Sequence, residues 1–216
     1  MVLRELKTKS AIKTIATTLG VLVGLAGIEH GILEIFQGNV KPEGLIIDAI
    51  GPSQRIWEYS SETALTVIPS MLWSGIVSVI LGIVVTIWAS HYVDKKYGAR
   101  ILMFLSILLW LVGGGFAPLL MAVFAFIAAS RIDRPLNWWR KHLPNFLKTS
   151  LGAFWPWSII IYVFAFVAGV EIAIFGYPML WFFSAEVTYS IQWGLAFIMM
   201  VLWPISILTA IAYDIK

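Results

Sequence analysis

Ile101-Leu-Met-Phe-Leu-Ser-Ile-Leu-Leu-Trp-Leu-Val-Gly-Gly-Gly-Phe-Ala-Pro-Leu-Leu-Met-Ala-Val-Phe-Ala-Phe-Ile-Ala-Ala-Ser130 is a charge-free run that a single helix does not fit. At 1.5 Å per residue one helix would be about 45 Å long, against a bilayer core of about 30 Å. The run is also broken in its middle by Gly113, Gly114 and Gly115, with Pro118 three residues on. Basic residues flank it on both sides: Lys95, Lys96 and Arg100 before, and Arg131, Arg134, Arg140, Lys141 and Lys148 after. Basic loops stay in the cytoplasm, so a single crossing would strand one of the two groups outside. A hairpin resolves the conflict. Residues 101–115 enter, the glycines turn, and Pro118 suits the first turn of a returning helix. Each arm is about 15 residues or roughly 22 Å, so the arms are either short tilted crossings or a re-entrant hairpin shielded by neighbours. The competing arrangement is one long helix kinked at the Gly-Pro region.

The rest of the chain reads in the same terms. Of its 216 residues 60% are hydrophobic and 12% charged, half the roughly 25% charge of a soluble domain. Apolar runs at about 12–36, 64–90, 151–175 and 189–212 each reach the roughly 20 residues a spanning helix needs. The predicted fold is therefore an all-α polytopic helix bundle. It has four long spans plus a Gly-broken short hairpin, 101–115 and 116–130, in a single transmembrane domain over residues 1–216.

Thirteen of the fifteen Lys and Arg residues lie in four segments: Arg4, Lys7, Lys9 and Lys13; the two groups flanking the hairpin; and Lys216 at the end. Lys41 and Arg55 fall instead in the 37–63 loop, beside Glu43, Asp48, Glu58 and Glu62. This pattern predicts both termini cytoplasmic and the 37–63 loop outside, in a cell membrane. The basic N-terminus resembles the start of a signal peptide. However, the apolar run continues through Glu29, His30 and Glu34 without a small-residue cleavage site, so it reads as a retained span. The net charge of +3 is accounted for by basic loops facing an anionic leaflet and calls for no nucleic acid. Trp138, Trp139, Arg140 and Lys141 interleave aromatic and basic side chains, as at a membrane surface. Trp57, Trp73 and Trp181 are expected in an outer aromatic belt, and Trp88 and Trp155 in an inner one.

The first span carries the densest information. Gly20, Gly24, Gly27 and Gly31 fall within about 60° of arc at 100° per residue, a smooth stripe for close helix packing. His30 and Glu34, four apart, flank the stripe and can meet. Glu29 points about 160° away from it and can share their site only with a local distortion. Ionisable groups at this depth are costly and mark function by default. Glu171 is predicted in the same outer layer, near the end of the fourth run. Carboxylates with one imidazole suit a proton or a hard or borderline divalent cation; which metal, if any, is left open. The broken-helix apex, Gly113 to Pro118, is a second candidate, because half-helix termini at membrane depth form ion sites in transporters.

Absences narrow the field. There are no cysteines, which removes disulfides, thiolate metal sites and cysteine nucleophiles together. His30, His91 and His142 are predicted at different depths, which disfavours a haem ligated by two of them. No Walker A or Rossmann glycine pattern is present.

The run Gly27-Ile-Glu-His-Gly-Ile-Leu-Glu-Ile-Phe-Gln-Gly-Asn39 resembles a signature of small multi-span membrane proteins of bacteria and archaea. Gly-Gly-Gly-Phe at 113–116, Trp-Trp-Arg at 138–140 and Ala-Tyr-Asp-Ile at 212–215 extend the resemblance over most of the chain. It implies a prokaryotic cytoplasmic membrane and no catalytic roles. Function therefore rests on the residues. The first expectation is a small transporter- or channel-like protein with a cation or proton site at Glu34 and His30, supported by Glu29 and Glu171. The alternatives are an accessory subunit of a larger membrane complex (or a homo-oligomer) and a membrane-embedded metal-dependent enzyme.

Overall fold

The structure, a computed structural model, describes residues 10–216; Arg4, Lys7 and Lys9 lie outside the described residues. Among the described residues the structure is mostly helical (71% helix), with seven α-helices. In chain order these are α1 (Ala11–Phe36), α2 (Met71–His91), α3 (Gly98–Leu111), α4 (Phe116–Ala129), α5 (Asn137–His142), α6 (Asn145–Phe175) and α7 (Ala185–Asp214). Four of them, α1, α2, α6 and α7, are long and apolar enough to cross a membrane, and α3 and α4 form the short pair. A two-stranded antiparallel pair, β1 (Ile46–Asp48) and β2 (Thr63–Leu65), lies between α1 and α2 and pairs Ile47 with Ala64. The chain is thus not purely α. Residues 64–70, read from sequence as the start of the second span, form strand and irregular backbone instead. Helix α2 begins only where the Ser70 hydroxyl accepts the Trp73 N–H, just after Pro69.

Helix α1 is the centre of the bundle, packing most extensively on α2 and also against α4, α7 and α3. Its contact with α2 is built on backbone. Gly24 lies against Gly82 and Gly31 against Gly75, an antiparallel register in which a Cβ on Gly24 would sit 2.5 Å from the Gly82 carbonyl oxygen. A Cβ on Gly31 would sit 2.6 Å from that of Gly75. Ser78 donates across the same seam to the Gly27 carbonyl at 3.0 Å. Gly20 and Gly27 serve α3 as well, facing Leu102 and Leu109. Helix α2 accordingly buries its small side, Ser74, Gly75, Ser78, Gly82 and Ala89, and exposes Trp73, Ile80, Ile83 and Ile87. With lipid tails as apolar as any side chain, close packing rather than burial of large residues decides which face turns inward.

At one end of the bundle, Asp214 closes the open N-terminus of α1. Its carboxylate accepts from the Ala11 N–H (2.8 Å), the Ile12 N–H (3.1 Å) and the Ser10 hydroxyl (2.8 Å), meeting donors that a helix start leaves free. Lys13 pairs with Asp94 just after α2, and this contact holds the Asp94 carboxyl below the usual carboxylate range. At the same level α5 lies exposed on the surface, with Arg140 and Lys141 exposed, Trp138 stacked on His142 with ring centroids 4.7 Å apart, and Trp139 edge-on to Trp138 and packed against the core.

At the opposite end the 37–70 segment folds over the bundle. Trp57 donates to the Ala173 carbonyl (3.2 Å) and Ser60 to that of Ile174 (3.0 Å), both at the end of α6. Trp57 is therefore buried rather than in an outer belt. Trp155 is likewise fully buried, beside Tyr213, and does not join an inner one.

The glycine seam yields a test. Gly82→Val forces a branched side chain into the Gly24 backbone and should destabilise the protein by about 1–3 kcal/mol or more. Unfolding titrations in detergent would measure it, with Gly44→Ala as the control, since nothing lies within 4 Å of that position.

Candidate functional site

The α3–α4 hairpin breaks where the sequence predicted, and its apex is filled by α1. Helix α3 ends at Leu111 and α4 starts at Phe116, with Gly113 and Gly115 in the positive-φ region at +110° and +80°, a conformation that L side chains rarely adopt. The space is as restrictive as the backbone. A Cβ on Gly113 would collide with the Glu34 carboxylate, and one on Gly115 would collide with the His30 ring. Irregular backbone inside a membrane protein needs hydrogen-bond partners. Here β2 and its continuation supply them: Gly113 N–H donates to Leu65 O (2.8 Å), Val67 N–H to Leu111 O (3.0 Å), and Gly114 N–H turns back to Leu109 O (2.9 Å).

Glu34 is 0% exposed and His30 4%. Neither Glu34 oxygen makes a hydrogen bond of normal geometry. The nearest hydroxyl, Ser74, is 2.7 Å from Thr66 Oγ1 and 2.9 Å from the Val112 carbonyl, so its single proton is already contested. A charge left unpaired at such a position costs several kcal/mol. The carboxyl therefore needs a proton or a cation.

His30 does not pair with Glu34 as the four-residue spacing suggests. Its ring turns back along the helix, as side chains on α-helices do. Nδ1 lies 3.0 Å from the Ala26 carbonyl and 2.9 Å from Glu29 Oε2. Glu29, placed by its helical phase on another face, is thus brought to the same site. Nε2 faces Glu62 Oε2 at 3.5 Å. With acceptors on both sides, only the doubly protonated ring uses both nitrogens.

Glu62 comes from the loop and was not singled out by the sequence. It precedes β2 by one residue, and its N–H donates to Asp48 Oδ1 (2.8 Å), the carboxylate that also accepts from the Ile50 N–H (3.0 Å) and pairs with Arg55 (3.1 Å). Burial pushes the Glu62 carboxyl up to about 7 against the pull of His30, with Glu29 and Asp48 adding to the rise.

These groups stand at the polar end of a cavity of about 590 Å³. It lies between α1 and α4 on one side and α6 and α7 on the other. Glu29, His30, Glu58 and Glu62 line one part; Phe116, Pro118, Met121, Phe166 and Trp203 line another. Glu171 does not join them. It is exposed on α6 and sits about 160° around the helix from Gly169 and Ala173, which do line the cavity. Among the described residues no group of three or more His, Asp or Glu is arranged to hold a metal ion. What the site can do is hold protons or a positively charged group between carboxylates, beside an apolar chamber.

Comparison with family models, with curated proteins and with solved structures finds no match for this chain.

The raised Glu62 carboxyl gives docking of the loop a pH dependence. Undocked, the carboxyl returns to its ordinary range near 4.5; docked, it releases its proton only near 7. Between these values the docked state binds more protons, so its stability is full below about 4.5 and is lost as pH rises through about 7. Hydrogen exchange of residues 60–70, corrected for intrinsic rates, should accelerate from pH 5 to pH 8. Glu62→Gln should flatten that dependence.

Proposed function

We propose that this chain is a small transporter- or channel-like membrane protein whose working site for a proton or cation is the Glu29–His30–Glu62 cluster together with Glu34. The observation that carries the reading is the fully buried, unpartnered Glu34 under the glycine apex, adjacent to a histidine that lines an open cavity. Buried ionisable groups in spanning helices mark ion and proton paths, and broken helices at membrane depth commonly form their binding sites. The arrangement supplies several proton acceptors close together: Glu62, Glu29 and His30 at the cavity, and Glu34 one turn further along α1 under the glycine apex.

Sidedness follows from charge. The basic segments after α2 and between α4 and α6 belong in the cytoplasm, with both termini, and the 37–70 segment outside. The cavity mouth then faces outward, and the prokaryotic cytoplasmic membrane is the membrane concerned. The absence of cysteine from the native chain makes this directly measurable. A cysteine placed at Asn137 should resist an impermeant maleimide in intact cells, and labelling there would reverse the assignment.

Function is tested by reconstitution into proteoliposomes carrying an internal pH dye, with an imposed potential. Wild-type protein should carry protons or exchange them for an added cation. Glu34→Gln should reduce the rate at least about tenfold, the consequence of losing one group of a relay, while the variant still elutes as a folded species. An unchanged rate in Glu34→Gln overturns the reading.

A further inference from the structure

We propose that the cavity takes an amphiphilic ammonium ion, a cation with at least one N–H donor on an aromatic or branched apolar body. The proposal rests on the reading of this cavity as the working site and names what enters it.

The polar end excludes the other chemical classes. Glu29, Glu58 and Glu62 line it, and Arg55, the one lining arginine among the described residues, is committed to Asp48 at 3.1 Å. An anion would meet three carboxylates with no free guanidinium, and the one imidazole there, His30, is already held between Glu29 and Glu62. A neutral apolar molecule would displace water from the carboxylate oxygens that His30 does not engage and return nothing to them. A cation compensates them.

Two acceptors narrow the cation further. Glu29 Oε1 and Gln192 Oε1 are buried atoms without hydrogen-bond partners, on residues that line the cavity from α1 and from α7. Glu29 Oε2 is engaged by His30, which leaves Oε1 as a vacant acceptor on the same carboxylate. An N–H donor uses such acceptors, whereas a quaternary ammonium has nothing to give them.

The walls supply the rest. Tyr59 stacks on Tyr189 with ring centroids 4.6 Å apart, and Tyr189 meets Trp193 edge to face at 6.1 Å. Faces of such rings attract cations, the more so away from water. Deeper in, Phe116, Phe166 and Met121 offer apolar surface for a hydrophobic body. The volume of about 590 Å³ falls within the roughly 300–1,000 Å³ of pockets that hold molecules of drug-like size. Trp193 is 61% exposed on a spanning helix, so this wall is open to the bilayer, from which an amphiphile would arrive.

The test is equilibrium binding to the full chain in lipid nanodiscs, followed by tryptophan fluorescence, with three matched probes: 3-phenylpropylammonium, its N,N,N-trimethyl analogue and 3-phenylpropanol. The expected order is ammonium, then trimethylammonium, then alcohol. Glu29→Gln should weaken ammonium binding about tenfold or more and leave the alcohol unchanged. Should that variant fail to fold, Tyr189→Leu should weaken both cations and spare the alcohol. Equal binding of all three probes, or no effect in the folded variants, overturns the proposal. The two readings fail separately. Ordered binding without proton flux in proteoliposomes would sink the transport reading and keep the ligand class. Proton flux that Glu34→Gln abolishes, with no preference among the probes, would sink the ligand class alone.

Discussion

Glu34 and His30 occupy the volume that side chains at positions 113 and 115 would fill, and most of the architecture follows from that substitution of one element for another. A carboxylate and an imidazole stand where two Cβ atoms would be. The hairpin can turn there only because glycine accepts both the left-handed backbone and the intrusion. The turn then exposes backbone groups that a bilayer cannot satisfy, so the β2 segment is drawn in to pair with it through Leu65 and Leu111. Helix α1, the hairpin apex and the 37–70 loop are therefore one unit. None of the three has a satisfied set of polar groups without the other two.

Lipid as solvent explains the remaining packing. Helices α1 and α2 approach through Gly24, Gly31, Gly75 and Gly82, and the large side chains of α2 are left facing outward. That approach fixes how deeply α1 is embedded and hence which of its polar residues are cut off from water. On α6 and α7, contact is made instead by a short polar ladder: Ser158 with Thr209 at 3.1 Å, and Trp203 donating to Tyr162 at 3.0 Å. This second pair meets the first group chiefly along α7, with the Tyr162 hydroxyl of α6 also donating to Met121 Sδ of α4 at 2.6 Å. The looser junction is where the cavity lies.

The sequence made the frame legible and the site only partly so. Four long helices follow from run length, and the hairpin from three glycines and the charges on both of its flanks, because length and backbone freedom are local properties. The β-pair was illegible for the same reason. Ala64-Leu-Thr-Val-Ile68 is as apolar as a span, and only its pairing with 46–48 and with the apex makes it extended. The glycine stripe of α1 is visible in the sequence, but Gly75 and Gly82, seven apart on α2, carry no signal without their partners on α1. Helical phase misplaced Glu29, because adjacent residues can share a site when one ring folds back over the preceding turn. Glu62 had no local signature at all; it matters through where the loop docks. The two candidates that sequence kept apart, the Glu/His cluster and the glycine apex, are in contact.

That contact bears on how the mouth of the cavity behaves. Glu62 belongs to the loop by chain and to the His30 cluster by position, so the proton that settles its charge also settles how well residues 60–70 hold to the bundle. Burial favours the neutral carboxyl when the loop is down. The ionised form favours release into water, unless His30 or an entering cation compensates it in place. A positive occupant would therefore do two things with one charge: displace the proton and keep the loop docked above itself. Access to the site and occupancy of the site then become a single equilibrium, set by the same carboxylate.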